Sequence, residues 1–226
     1  MSLARSVVAA GLRGLTGLLC RVDDAQLSRV PERGPLIVIT NHVGLVEIPL
    51  LYLHLQPRPV RGFTAAVRWE NRFLAWLLGL FEAIPLHRGE ADIAALRQGL
   101  EVLAEGSILA IMPEGTRSHD GSLQKGHSGV VFLALQSGAA VLPIAHYGSE
   151  RLADNVRRLK RTDVRLVVGN PFTFDTGGAK VTRQMRQQMV DEAMYELATL
   201  LPPAYRGAYS DLDATGREHL AFTDVP

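Results

Sequence analysis

Short runs of aliphatic and β-branched residues, PLIVIT, SILAIM and AVLPIA among them, alternate along this chain with longer segments of helical period. That alternation constrains the fold more than any other feature, because parallel strands need a crossover between them, most often a helix. The expected class is α/β, with a mostly parallel central sheet flanked by helices and an N-terminal amphipathic helix. Strands are predicted near 36–40, 60–64, 83–86, 107–112, 141–145 and 163–168, and helices over 46–55, 70–81, 90–105, 128–138 and 179–200. Open parallel sheets present their chemistry beyond the carboxyl ends of the strands, so the loops after 36–40 and 107–112 are where a site is expected.

With 226 residues and 47% hydrophobic side chains, the chain is long and apolar enough for one compact domain over 1–226. Within it, 1–30 reads as an N-terminal helical segment, 34–170 as the motif-bearing core, and 171–226 as a C-terminal helix and a tail that either wraps the surface or frays. A net charge of +1 asks for no polyanionic partner, which argues against nucleic acid. Only Lys125, Lys160 and Lys180 among the 24 basic residues are lysine. Arginine's planar fork suits phosphate and carboxylate, though biased codon usage explains most of the excess. Cys20 is the single cysteine, so no intrachain disulfide forms and a reducing, cytoplasmic setting is expected.

Two apolar stretches bear on membranes. In the first 21 residues Arg5, Arg13 and Arg21 interrupt the apolar run, leaving uncharged pieces too short to span a bilayer. Leu3, Val7, Leu12, Leu15 and Leu19 share a broad helical face that would suit either a membrane surface or the domain's own core. RFLAWLLGLFEAIPL, at 72–86, carries Phe73, Trp76, Leu77 and Phe81 between Arg72 and Glu82, and reads as a core-packed helix or as a segment dipping into the lipid interface. The basic residues Arg151, Arg157, Arg158, Lys160, Arg161 and Arg165 would serve anionic head groups or an acidic carrier protein, but Asp154 and Asp163 dilute them and a solvated face is the plainer reading.

TNHVGLVEIP, at 40–49, sets His42 and Glu47 five positions apart just after an apolar strand. Within a regular helix that spacing turns two side chains about 140° apart, so a working pair needs a break, with His42 in the turn and the helix starting near Val46. Asn41 and Gly44 suit such a turn. A histidine held by a carboxylate on its other ring nitrogen acts as a general base. No serine occupies a Gly-x-Ser-x-Gly turn, so the nucleophile is expected to be a substrate hydroxyl. The plain alternative is that Asn41 and His42 cap a helix whose first turn carries Glu47.

PEGTRS, at 113–118, follows the strand SILAIM. Pro113 and Gly115 shape a tight turn, and Thr116, Arg117 and Ser118 offer donors that suit a phosphate monoester, with Arg117 able to bind two oxygens. The alternative is a structural Glu114–Arg117 pair. No histidine pair has metal-ligand spacing with a third donor nearby, and no Gly-rich nucleotide loop is present, so neither metal nor redox cofactor is expected.

NHVGLVE, AIPLHRG, IMPEGTRS and AVLPIA, in this order, resemble the four sequence blocks of the glycerophospholipid acyltransferases, the 1-acylglycerol-3-phosphate O-acyltransferase group, from about residue 34 to 170. The resemblance implies a glycerolphosphate acyltransferase-like fold and transfer of a fatty acyl group from acyl-CoA or acyl-carrier protein to the hydroxyl of a lysophospholipid, most simply 1-acylglycerol-3-phosphate, giving phosphatidic acid. It implies His42 as general base and Glu47 as the carboxylate that orients it. Arg88, Glu114, Gly115, Thr116 and Arg117 would match the acceptor-binding positions, with Arg88 and Arg117 on the phosphate, and Pro143 would match the proline of the fourth block. A peripheral position on the inner face of the membrane follows from such an acceptor. The thioester is a substrate rather than a cofactor. Two departures stand out. The family's first block normally ends in Asp, so Glu47 brings an extra methylene to be absorbed by a small helix shift or another rotamer. Proline is missing from its usual place in the second block, where NRFLAW stands. Another lysolipid, a lipid-linked hydroxyl, or a catalytically silent lipid-binding role are the alternatives.

Overall fold

The computed structural model describes residues 3–44, 47–87, 92–118, 120–214 and 216–223, with the side chain of Glu47 also outside the described part. Helix α1 (Leu3–Leu19) leads into β1 (Cys20–Asp23). There follow β2 (Leu36–Ile39), α2 (Glu47–His54), β3 (Val60–Ala65), α3 (Arg72–Leu80), β4 (Ile84–Leu86), α4 (Ile93–Ala104), β5 (Ile108–Ile111), α5 (Gly129–Ser137) and β6 (Ala140–Tyr147). The chain closes with α6 (Leu152–Arg157), β7 (Thr162–Val168), β8 (Phe172–Phe174), α7 (Arg183–Thr199) and β9 (Leu220–Phe222).

The sheet runs in the order β1-β7-β6-β2-β5-β3-β4, with β8 and β9 joined to it through β6. Pairings β2·β5, β2·β6, β3·β5, β3·β4 and β1·β7 are parallel, while β6·β7, β6·β8 and β8·β9 are antiparallel. The mostly parallel α/β expectation therefore holds, and each predicted strand and helix is present. Short elements were missed. β1, β8, β9 and α6 are three to six residues long, too short to show a period.

Alternate residues of each central strand feed opposite layers. Leu36 and Val38 pack with Leu51, Leu53 and Leu142 under α1 and α2, while Ile37, Ile39, Leu109 and Val141 pack with α4, α5 and α7. Gly99 lets α4 lie close to the sheet, since a Cβ there would stand 3.0 Å from the Phe63 ring. Proline in a central strand costs a ladder hydrogen bond. Pro143 sits where β6 changes partners, pairing parallel with β2 up to Ile39↔Pro143 and antiparallel with β7 from Ile144 onward.

Helix α1 corrects the expected single face. Leu12 lies against the domain, half-buried with Val8, Ala9 and Leu19 around the buried Thr16, whereas Leu3, Val7, Leu15 and Leu18 form a separate exposed stripe. Its arginines are spent inward: Arg5 donates to Tyr52 and Glu82, and Arg13 to the Leu53 carbonyl. The expected helix 70–81 begins at Arg72 because Ala66–Glu70 forms a 3-10 turn and the Asn71 side chain caps α3 by accepting from the Phe73 and Leu74 N–H groups. Nor is α3 core-packed. It lies at the β4 end of the sheet with Phe73 and Trp76 exposed. The tail wraps rather than frays: Tyr209 is buried and β9 extends the sheet.

Candidate active site

The site builds from the end of β2. The Thr40 N–H still donates to the Ile111 carbonyl at 3.1 Å, and there the ladder ends. Asn41 replaces it with its side chain. Its Nδ2 donates to the His146 carbonyl at 2.8 Å, and its Oδ1 accepts from the His146 N–H at 2.9 Å. The His146 Nε2 lies 2.7 Å from the Asn41 carbonyl, a contact that needs the proton on Nε2. All three bonds are buried, which stiffens the chain at the point where it leaves the sheet.

His42 comes next, buried, and α2 opens at Glu47. The helix break that a His42–Glu47 pair requires is thus present in the backbone. The Glu47 side chain and all of Arg88 lie outside the described residues. Either side of the Arg88 segment is tied by Asp92, whose carboxylate accepts from the backbone N–H groups of His87 and Ala95 at 2.9 and 3.0 Å. Those two backbone bonds and a third from the His87 ring hold the Asp92 carboxyl down to about 2.

The PEGTR loop after β5 meets His42 through its backbone. Glu114, buried, accepts from the His42 N–H on Oε1 at 2.8 Å and from the Gln124 N–H on Oε2 at 2.9 Å. In return the Ser118 N–H donates to the His42 carbonyl at 2.8 Å. The expected acceptor-binding carboxylate is therefore also a clamp between the two loops. Gly115 has φ +65, and a Cβ there would stand 3.1 Å from the His127 ring, so the turn needs glycine on two counts. Thr116 and Arg117 are exposed at its tip. Asp120 closes the loop: its carboxylate takes the Ser122 hydroxyl, the Ser122 N–H and the Ser118 hydroxyl, which hold it well below the usual carboxylate range.

Sequence reasoning missed the supports behind this loop. The Tyr209 hydroxyl accepts from the Gly126 N–H at 2.9 Å and donates to Asp191 at 3.0 Å, and Leu123 exchanges backbone bonds with Tyr205 and Ala208. Burial, then the bond to Asp191, pushes the Tyr209 phenol up. Its place three helices further along the chain, in a turn-rich tail, hid it; no local pattern marks such a residue. Beside the loop, His127, Ser128, Gly129, Arg183, Gln184 and Gln187 border an open cavity of about 770 Å³.

A buried histidine leaving a parallel strand is thus clamped to a Gly-Thr-Arg loop at the end of the neighbouring strand. The acyltransferase family model matches residues 21–147, more than half of the chain, and the chain belongs to this family. It is similar to the 1-acyl-sn-glycerol-3-phosphate acyltransferase of Pseudomonas aeruginosa, 26% identical over 189 residues, 80% of this chain and 71% of the relative. A Chlamydomonas reinhardtii protein described by the same activity is 26% identical over 186 residues, 80% of this chain. The chain spans about half, 53%, of that relative's length. The lyso-ornithine lipid O-acyltransferase of P. aeruginosa is 32% identical over 123 residues, 54% of this chain and 46% of the relative. The crystal structure of the 1-acyl-sn-glycerophosphate acyltransferase PlsC from Thermotoga maritima has the same fold, with a TM-score of 0.59 at 23% identity over 84% of this chain and 78% of that one.

Proposed function

We propose that this chain acylates the free hydroxyl of a lysophospholipid, 1-acylglycerol-3-phosphate before others, using an acyl thioester of CoA or of acyl-carrier protein. The observation that carries the reading is the joining of His42 to the PEGTR loop at the carboxyl edge of the sheet, through the His42 N–H on Glu114 and the Ser118 N–H on the His42 carbonyl. One clamp holds a proton acceptor and an anion-binding tip in register, which is the positioning that acyl transfer to a phosphorylated hydroxyl compound requires.

In this mechanism His42, oriented by Glu47, takes the proton from the acceptor hydroxyl as its oxygen attacks the thioester carbonyl. The oxygen–carbon bond forms, the carbon–sulfur bond breaks, and the proton passes to the departing thiolate, leaving an ester and a free thiol. Arg117 and Arg88 hold the phosphate, Gly115 and Thr116 shape the turn that presents Arg117, and Glu114 positions His42. Backbone N–H groups around Gly115 or the 42–46 turn stabilise the charge that develops on the thioester oxygen. No cofactor takes part.

The acceptor is a bilayer lipid, so the chain works at the membrane surface, on the cytoplasmic face where the donors are. No described helix is long and apolar enough to cross a membrane. The uncharged outer stripe of α1, Leu3, Val7, Leu15 and Leu18, and the exposed Phe73 and Trp76 of α3 are the contacts. A second acceptor is favoured by one observation, the 32% identity to the lyso-ornithine lipid enzyme, and a lyso-aminolipid belongs in the same assay.

Thiol release from acyl-CoA and from acyl-carrier protein, with each lysolipid in turn, tests the reading. His42→Ala is expected to lose about 10²–10⁴ in rate, Glu47→Asp to retain activity, and Glu47→Gln to lose most of it. Acceptor-dependent release that is unchanged in His42→Ala sinks the mechanism. No release with any pair leaves a lipid-binding protein.

A further inference from the structure

We propose that the turn between α6 and β7, residues 156–161, is a membrane-contact element that inserts Leu159 into an anionic bilayer beside the catalytic edge. The proposal rests on the reading of the chain as one that acts on bilayer lipid, and it adds a contact point separate from α1 and α3.

Leu159 is 97% exposed and has φ +53. A water-facing turn in the left-handed region is better served by glycine or asparagine on both counts, since each relieves the backbone and neither exposes hydrocarbon. Here a leucine stands at the tip. Arg157, Arg158 and Lys160 surround it and are exposed. Arg161 fixes the turn to the end of α1 by donating to the carbonyls of Gly17 and Cys20. That end of α1 carries Leu15, 52% exposed, and Leu18, 70% exposed. Asp154 pairs with Arg157 at 3.5 Å and Asp163 with Arg21 at 3.3 Å, so a single carboxylate stands against Arg157, Arg158 and Lys160 and the turn keeps an excess of positive charge.

Topology sets this tip on the correct side of the molecule. β7 runs antiparallel to β6 with Arg165 opposite Tyr147, so Thr162 lies three residues, about 10 Å, beyond that level. Asn41, which pairs with His146, puts His42 at nearly the Tyr147 level on the same edge. β7 is two strands from β2, about 10 Å across the sheet. A bilayer touched by Leu159 therefore covers the edge at which an acceptor must meet His42. A single leucine on a convex, cationic tip fits a deformable anionic interface, with the hydrocarbon entering below the head groups and the cations staying among them.

The test is co-sedimentation of the full chain with vesicles of phosphatidylcholine alone or mixed three to one with phosphatidylglycerol. Leu159→Asn, which the left-handed backbone accommodates, is expected to weaken binding to the mixed vesicles about tenfold. Arg157→Glu/Arg158→Glu/Lys160→Glu is expected to abolish the preference for the anionic vesicles, and added salt to erode it in wild type. Both variants should keep the wild-type Tm and wild-type turnover of a short-chain, monomeric lysolipid. Equal vesicle binding by Leu159→Asn and wild type overturns the proposal. So does a charge-reversal variant that binds vesicles normally but loses turnover only with acyl-carrier protein, which would make the turn a carrier-protein dock. Vesicle binding is read without catalysis, so Leu159-dependent binding in a preparation with no acyl transfer upholds the turn and removes the enzyme reading instead.

Discussion

The backbone N–H of His42 donates to Oε1 of Glu114 at 2.8 Å, across 72 residues of chain. A carboxylate in a Gly-Thr-Arg loop would by composition be read as a ligand for substrate, yet both of its oxygens are occupied by backbone N–H groups. In the proposed mechanism its effect on the reaction passes through His42.

Glu114→Gln tests this division. The amide offers one acceptor where two are needed and sets an NH₂ against a backbone N–H, a mismatch that costs about 1–3 kcal/mol when buried. The expected outcome is a fall in kcat of roughly tenfold to a hundredfold with little change in acceptor KM, together with a lower Tm. A change confined to KM would make Glu114 a direct substrate ligand.

Asn41→Ala removes two buried bonds to the His146 backbone and leaves its N–H and carbonyl without side-chain partners. A loss of about 2–4 kcal/mol is expected, on the order of 5–15 °C in Tm. Turnover measured well below the new Tm should also fall, because His42 is the next residue. Wild-type turnover in a folded Asn41→Ala protein would mean that the α2 side alone positions the histidine.

Arg58 is buried at the amino edge of the sheet and spends its guanidinium on the carbonyls of Pro31, Gly34 and Gly106. Burial pulls its pKa down. Lysine cannot reproduce the planar fork. Arg58→Lys is expected to destabilise by about 2–4 kcal/mol in urea unfolding while leaving kcat intact, since the site lies at the other edge.

Glu192 gives a pH signature. Burial pushes its carboxyl above the ordinary 4.5, against the opposing pull of the His219 N–H and with the neighbouring Glu218 adding to the rise. A carboxyl protonated more readily in the fold than in the unfolded chain adds stability that is full below the unfolded value and is lost as the pH rises through the folded one. Glu192→Gln, which keeps an acceptor for the His219 N–H, is expected to raise the Tm at pH 7, with the gain vanishing as the pH falls below 4.5. A Tm difference that does not vary with pH would contradict it.

The central strands were legible because burial on both faces writes itself locally, as unbroken runs such as LIVI and ILAI. The longer helices were legible through their period. β1, β8 and β9 were not, because three- and four-residue strands carry no period and exist through partners far along the chain, as in Cys20↔Thr162 and Phe172↔Phe222. The same limit hid the two stripes of α1, since apolar spacing says which residues share a face but not which face a neighbour covers.

At the site the division follows the same physics. Residue type and spacing alone determined that a histidine follows one strand and a Gly-Thr-Arg loop another, both at the carboxyl edge of an α/β sheet. Tertiary structure decided that Glu114 grips the His42 backbone, that Asn41 stands in for a strand against His146, and that Tyr209 of the tail braces the loop through Gly126. Local pattern records burial and chain stiffness, which depend on neighbours in sequence. A hydrogen bond between distant segments depends on the register in which the sheet brings them together, and that register exists only once the chain has folded.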